Sequence, residues 1–359
     1  MHDSERILNA VGDISDDKIE AASRALGYKR ETTTRGTVRS MRKIVSIIAA
    51  AALIAALGAA AYAIGVHSGF FNNAFGTGVP GQEAKTVELR DKDGNLVKTE
   101  NFPAFERVAV DEEKAEVMVG AYVTAVGQSA QIGDFTFTVR EVTIDENGNG
   151  VVSVDVDNPK GHGRKADGNL VDGQADTWFG YLINGSGGAM IASHDYAVTE
   201  GYTQTHISFI YSLNYGMTAP TEAEDIILSF KVYSGENDRQ TADIIIPAAE
   251  RIPAKEFSCD GASVSVSPVG MTLHIENALS NVEYVPQEMV IHYSDGGKYT
   301  VQGENVVNYM CSVMLQGEDN GTFNTTFNRL VDTDAISEIT VKATYRLNGE
   351  INELNYSLA

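Results

Sequence analysis

Between Ile44 and Val66 the chain carries 23 consecutive residues without a charge, IVSIIAAAALIAALGAAAYAIGV. Coiled as an α-helix, this run would be about 34 Å long, enough to cross a hydrocarbon layer of about 30 Å. It predicts a transmembrane helix over 44–66. The flanks orient it. Lys29, Arg30, Arg35, Arg39, Arg42 and Lys43 crowd the N-terminal side, whereas no Lys or Arg follows until Lys85. Basic residues are retained on the cytoplasmic side, so the N-terminus is expected in the cytoplasm of a single-pass cell-membrane protein and the C-terminal bulk outside. Tyr62, Phe70, Phe71 and Phe75 are expected near the outer interface. A cleaved signal peptide is the competing reading, because Ala61-Tyr62-Ala63 has the small residues of a cleavage site. The apolar run exceeds the about 7–15 residues of a signal-peptide core, and a leader with its own helix signals precedes it.

Charge is distributed as unevenly as length. Of 27 Lys and Arg and 49 Asp and Glu, nine and seven lie in residues 1–43, which leaves a strongly acidic remainder. Such an exterior argues against nucleic acid or anionic lipid head groups as partners. Cys259 and Cys311 are the only two cysteines. An oxidising compartment allows a disulfide between them, and two buried thiols fit the sequence equally well.

Residues 1–28 read as a helical docking segment. Ile7, Leu8 and Val11 share one face, Gly12 breaks the pattern, and Ser15 is an N-cap whose hydroxyl accepts from a free amide of the next helix. Asp16 and Asp17 suit the positive end of that helix. Ile19, Ala22 and Leu26 form its apolar stripe, and Gly27 ends it. Two helices this short bury too little apolar area to stand alone, so the stripe packs on a partner or the membrane surface or stays mostly unfolded, and the functional reading is a docking peptide that orders on binding. Residues 29–43 read as a basic juxtamembrane tether and 67–110 as a linker with a small hairpin around Asp93-Gly94. Asp111 then opens a helix with Met118, Ala121, Tyr122 and Ala125 on one face.

Beyond that helix the apolar period becomes two, as in Phe135-Thr136-Phe137-Thr138-Val139 and Val152-Ser153-Val154-Asp155-Val156. Further strands are expected at Trp178–Ile183, Thr205–Leu213, Ile226–Tyr233 and Ala242–Ile246, and later at 262–266, 271–275, 289–301, 336–345 and 351–358. Many short strands with regular Gly and Asn turns predict a mainly β ectodomain of two immunoglobulin-like β-sandwiches, over 111–252 (helix plus first sandwich) and 253–359. Gly133–Asn158 and Gly261–Asn277 both open on a turn glycine and close on an acid followed by Asn, which suggests a two-fold repeat. The polar insertion from Asn158 to Asp176, beside Trp178, is the loop first expected to meet a ligand if the chain is instead an anchored binding or adhesion module.

No chemistry-bearing motif has its required context. Gly76-Thr77-Gly78-Val79-Pro80-Gly81 matches the dinucleotide-binding glycine pattern but follows no strand. Asp145 to Gly150 matches half a calcium loop, yet Val156 stands where a closing carboxylate belongs, so a hairpin turn is expected. His2, His67, His162, His194, His206, His274 and His292 show no helical zinc-site spacing. No catalytic, cofactor-binding or metal-binding residues are expected, and no enzyme.

Glu5-Arg6-Ile7-Leu8-Asn9-Ala10-Val11-Gly12-Asp13-Ile14-Ser15-Asp16-Asp17-Lys18-Ile19-Glu20-Ala21-Ala22 resembles the opening of anti-sigma-factor-like membrane proteins of Gram-positive bacteria. Gly133–Asn158 and Leu330–Ile339 resemble the β-rich extracellular domains of that group. The resemblance implies a signalling regulator whose partner is an extracytoplasmic-function sigma factor, with an outer domain that responds to envelope conditions. It assigns partner binding to Ile7, Leu8, Val11, Ile14, Ile19 and Leu26. The chain departs from the group's zinc-binding cytoplasmic domain in lacking its His and Cys ligands.

Overall fold

A computed structural model describes residues 69–90, 95–163, 178–184, 191–215, 225–233, 239–247, 250–279, 282–314, 321–348 and 350–359. The predicted span over 44–66, the tether and the docking segment lie outside them. Among the described residues no helix is long and apolar enough to cross a membrane.

The fold is mainly antiparallel β-sheet. An exposed hairpin, β1 (Lys85–Arg90) and β2 (Leu96–Phe102), comes first. One five-stranded sheet follows, in the order β3-β4-β5-β8-β7, from β3 (Thr124–Ile132), β4 (Phe135–Ile144), β5 (Asn149–Asp157), β7 (Ile191–Ala197) and β8 (His206–Tyr215). Facing it is a three-stranded sheet of β6 (Trp178–Asn184), β9 (Ile226–Tyr233) and β10 (Arg239–Ile246), ordered β10-β9-β6. Period-two alternation sends Phe137, Val154, Phe209, Leu228, Phe230 and Ile244 into one core between the two sheets.

The C-terminal half repeats this plan. Strands β11 (Lys255–Cys259), β12 (Ala262–Val266), β13 (Gly270–Ile275), β17 (Tyr309–Met314) and β18 (Thr322–Phe327) form a sheet in the order β11-β12-β13-β18-β17. Strands β14 (Tyr284–Tyr293), β15 (Lys298–Gly303), β16 (Val306–Val307), β19 (Ile336–Leu347) and β20 (Glu350–Leu358) form the other, ordered β16-β15-β14-β19-β20. A second core joins them, with Val264, Leu273, Ile291, Phe327, Ile339 and Val341 fully or almost fully buried. Strand for strand, β3 to β10 reappear as β11 to β14 and β17 to β20 in the same neighbour order. The second half adds β15 and β16. Gly133 and Gly261, with φ of 59° and 88°, occupy the matching first turns, where a side chain would be strained.

The sheets β3-β4-β5-β8-β7 and β11-β12-β13-β18-β17 also meet each other, β17 and β18 packing on β5, β7 and β8. This explains where the alternation fails. Val151 and Val152 are adjacent in β5 and both buried, as are Ile210 and Tyr211 in β8, because these central strands have a core on each face. The β4–β5 turn forms part of the contact. Asp145 is fully buried there and accepts from the Asn149 amide at 2.8 Å and the Ser267 hydroxyl at 2.7 Å, one group from each half.

Two helices differ from the sequence expectation. Residues expected as linker form α1 (Phe70–Phe75), and Phe70, Phe71 and Phe75 are buried inside the protein. Three phenylalanines in six residues cover enough apolar surface to be drawn into the joint between the halves, where Val151, Val198, Ile210, Val269 and Met310 receive them. Helix α2 (Glu112–Val119) is N-capped by Asp111, whose carboxylate accepts from the Lys114 amide at 3.1 Å. It is shorter than expected. A 3-10 turn over Gly120–Tyr122 follows, and Ala125 already belongs to β3, because Thr124 and Ala125 pair with Val142 and Glu141.

Candidate functional site

A dense polar constellation surrounds α1. A six-residue helix cannot satisfy its own last carbonyls. Arg107, 32 residues beyond Phe75 in the chain, does so. Its Nη2 donates to the carbonyls of Asn73 at 3.2 Å and Ala74 at 3.0 Å, its Nε to that of Gly76 at 2.6 Å, and its Nη1 to that of Asn328 at 2.9 Å. One guanidinium thus ties α1 to the end of β18. Burial lowers its pKa to about 10, partly opposed by Tyr196 and Tyr299, so it remains charged at neutral pH. Cationic charge at a helix C-terminus is itself favourable.

The segment carrying Arg107 is held in turn. The Phe105 amide donates to the Gln82 carbonyl at 2.8 Å, and the Glu106 amide donates to Asn308 Oδ1 at 2.8 Å. Asn328 Nδ2 donates to the Glu106 carbonyl at 2.6 Å, and Tyr299 donates to the Asn308 carbonyl. Burial raises the Tyr299 pKa, so the phenol stays a donor. The turn after α1 needs its glycines. A Cβ on Gly76 would lie 2.8 Å from the Asn72 carbonyl oxygen, and one on Gly78 2.7 Å from Asn73 Cα. The dinucleotide-like glycine pattern is therefore a helix-terminating turn.

The six residues assigned to partner binding, Ile7, Leu8, Val11, Ile14, Ile19 and Leu26, lie outside the described residues, as do His2 and His67. The Asp145–Gly150 segment is a tight hairpin turn with Gly148 at φ 82°. His162 is buried against the Thr203 carbonyl at 2.6 Å, His206 meets Asp157 at 2.8 Å, and His274 and His292 meet threonine hydroxyls. Among the described residues no three His, Cys, Asp or Glu converge as a metal site. Cys259 and Cys311 are unbridged. They stand on β11 and β17, the opposite edges of one five-stranded sheet, and so at least about 19 Å apart at the usual strand spacing. A disulfide requires Cα atoms within about 7 Å.

Sequence reasoning did not single out Arg107, Asn308 or Asn328. They lie outside any apolar period, and their partners are as much as 222 residues away.

No family model matches the sequence, and no curated protein matches it. A solved structure described as the conserved domain protein from Bacillus anthracis is 10% identical and aligns over 66% of this chain and 91% of that chain, with a TM-score of 0.38. A likeness this slight assigns neither fold nor activity.

Proposed function

We propose that the chain is a single-pass membrane regulator. Its cytoplasmic residues 1–28 hold an extracytoplasmic-function sigma factor through Ile7, Leu8, Val11, Ile14, Ile19 and Leu26, and its extracellular β-rich part senses envelope conditions. The uncharged run over 44–66 and its one-sided basic flank support the topology. The strand orders support an immunoglobulin-like assignment for both halves. Strands β4-β5-β8-β7 facing β6-β9-β10 follow the seven-strand constant-type plan, and β15 and β16 extend the second half toward the variable type.

The observation that carries the reading is the proximity of α1 to the predicted span. Only His67, Ser68 and Gly69 separate Val66 from Phe70. Three residues reach at most about 11 Å. The buried helix is thus tied closely to the predicted span, and a change in the joint between the β halves is transmitted to it without a long compliant linker. Sensing outside and release inside are coupled by this short connection.

The test is co-purification of the full-length protein from its own cells, with partners identified by mass spectrometry. The wild type is expected to bring down a sigma factor, and the Ile19→Asp, Leu26→Asp double variant to lose it. Equal recovery from both would contradict the docking role. An anchored binding module with no cytoplasmic partner instead predicts no sigma factor with either protein.

A further inference from the structure

We infer that a cavity beside α1 binds a small zwitterion of the amino-acid type, its carboxylate on Arg329 and its ammonium among the surrounding aspartates. This deepens the sensing role proposed above and rests on it for its consequence, though not for the binding itself. The cavity, of about 310 Å³, lies between α1, α2, the end of β14 and the segment from Arg329 to Ala335. That size, at the small end for ligand sites, suits an amino acid or a dipeptide.

Arg329 is the first reason. Its side chain is only 18% exposed, and its guanidinium stacks on Tyr299 with Cζ 4.5 Å from the ring centre. Nε donates to Asn328 Oδ1 at a long 3.4 Å. Nη2 is buried without a hydrogen-bond acceptor, and the nearest carboxylate, Glu106, is 3.6 Å away and 60% exposed. A covered guanidinium with unmet donors is costly, and since Nη2 is sealed, a carboxylate in the cavity is received by Nη1, the guanidinium nitrogen that is neither sealed nor hydrogen-bonded.

The neighbouring charges set the rest of the ligand. Lys114 is committed to Asp332 at 2.8 Å. Asp111 and Asp295 also line the cavity, so three carboxylates face two cations. This excess disfavours a doubly charged phosphate and favours a ligand that carries its own ammonium. Tyr293 contributes a hydroxyl that burial keeps protonated, its pKa pushed up to about 12. Phe75, Met118 and Leu330 supply an apolar wall for a side chain. Since Phe75 belongs to α1, an occupant touches the helix that follows the predicted span.

The test is calorimetric titration of the purified full-length protein with L-leucine, L-leucinamide and 4-methylpentanoate. Leucine is expected to bind saturably. The amide, lacking the carboxylate, and the acid, lacking the amine, are each expected to bind at least about tenfold more weakly. Arg329→Gln is expected to weaken leucine by a similar factor, with circular dichroism checking its fold. Leucinamide binding as tightly as leucine, or no saturable binding by any of the three at 10 mM or below, overturns the site whatever the variant does. Leucine binding that leaves the yield of co-purified sigma factor unchanged supports the site and counts against the sensing role. Failure of all three to bind leaves the docking role intact.

Discussion

Nη2 of Arg107 lies 3.0 Å from the carbonyl oxygen of Ala74, so the last turn of α1 is closed by a side chain from a segment threaded between the two β halves. The same guanidinium donates to Asn328 at the end of β18. Removing it strips four carbonyls of their donor at once. Arg107→Ala is expected to destabilise the fold by about 2–4 kcal/mol, because buried acceptors are left unpaired and a cavity opens. Amide hydrogen exchange is expected to accelerate over residues 70–76 before it changes in the sheets. Arg107→Lys keeps the charge but not the planar fork, and is expected to fall between the two.

Phe71 is fully buried, whereas Val117 of α2 is 89% exposed. Phe71→Ala is expected to cost about 3–5 kcal/mol in denaturant unfolding, and Val117→Ala less than about 0.5 kcal/mol. Similar costs for the two would mean that α1 does not pack in the joint.

At Gly270 the halves press closely together. A Cβ there would lie 2.4 Å from Asn149 Cβ and 2.7 Å from the Thr325 carbonyl oxygen. Neither neighbour is the free end of a flexible chain. Gly270→Ala is expected to lower the melting temperature by several degrees, consistent with a loss of about 1–3 kcal/mol.

Burial raises the Asp145 pKa to about 6, against the opposing hydrogen bonds from Ser267 and Asn149. The native state therefore binds this proton more tightly than the unfolded chain. The resulting stability is present in full below the unfolded value near 4 and is lost as pH rises through about 6. Wild-type unfolding free energy is expected to fall between pH 4.5 and 6.5 relative to Asp145→Asn, which lacks the titrating group. Parallel pH profiles for the two proteins would contradict this account of the joint.

The two cysteines separate by reactivity. Cys311 is buried and its thiol is pushed up to about 11 by desolvation, while Cys259 is half-buried. A thiol reagent is expected to modify Cys259 in the native protein and Cys311 only after unfolding. Non-reducing electrophoresis is expected to show no intramolecular bridge.

Strands were legible in stretches with one buried face, such as Phe135–Val139 and, past the two-sided start of β5, Val152–Val156, since a single core imposes period two. The repeat was visible in its turn glycines, Gly133 and Gly261, because a positive φ restricts residue choice. The joint was not legible. Phe70, Phe71 and Phe75 follow an apolar run and read as part of an exit linker near the outer interface, and only long-range packing reveals their burial. Arg107 is one basic residue in an aperiodic stretch, and its importance lies in carbonyls whose positions are set by folding. The edge strand β3 was missed because its faces are mostly half-exposed and carry little pattern.

The most direct test of coupling between the β halves and the cytoplasmic segment is the amount of sigma factor retained per full-length protein in Arg107→Ala and wild type, purified side by side from the native cells. With α1 loosened from the joint, the account predicts a changed yield of partner although residues 1–43 are untouched. Identical yields, alongside faster exchange over residues 70–76, would show that the grip on α1 has no bearing on the cytoplasmic side.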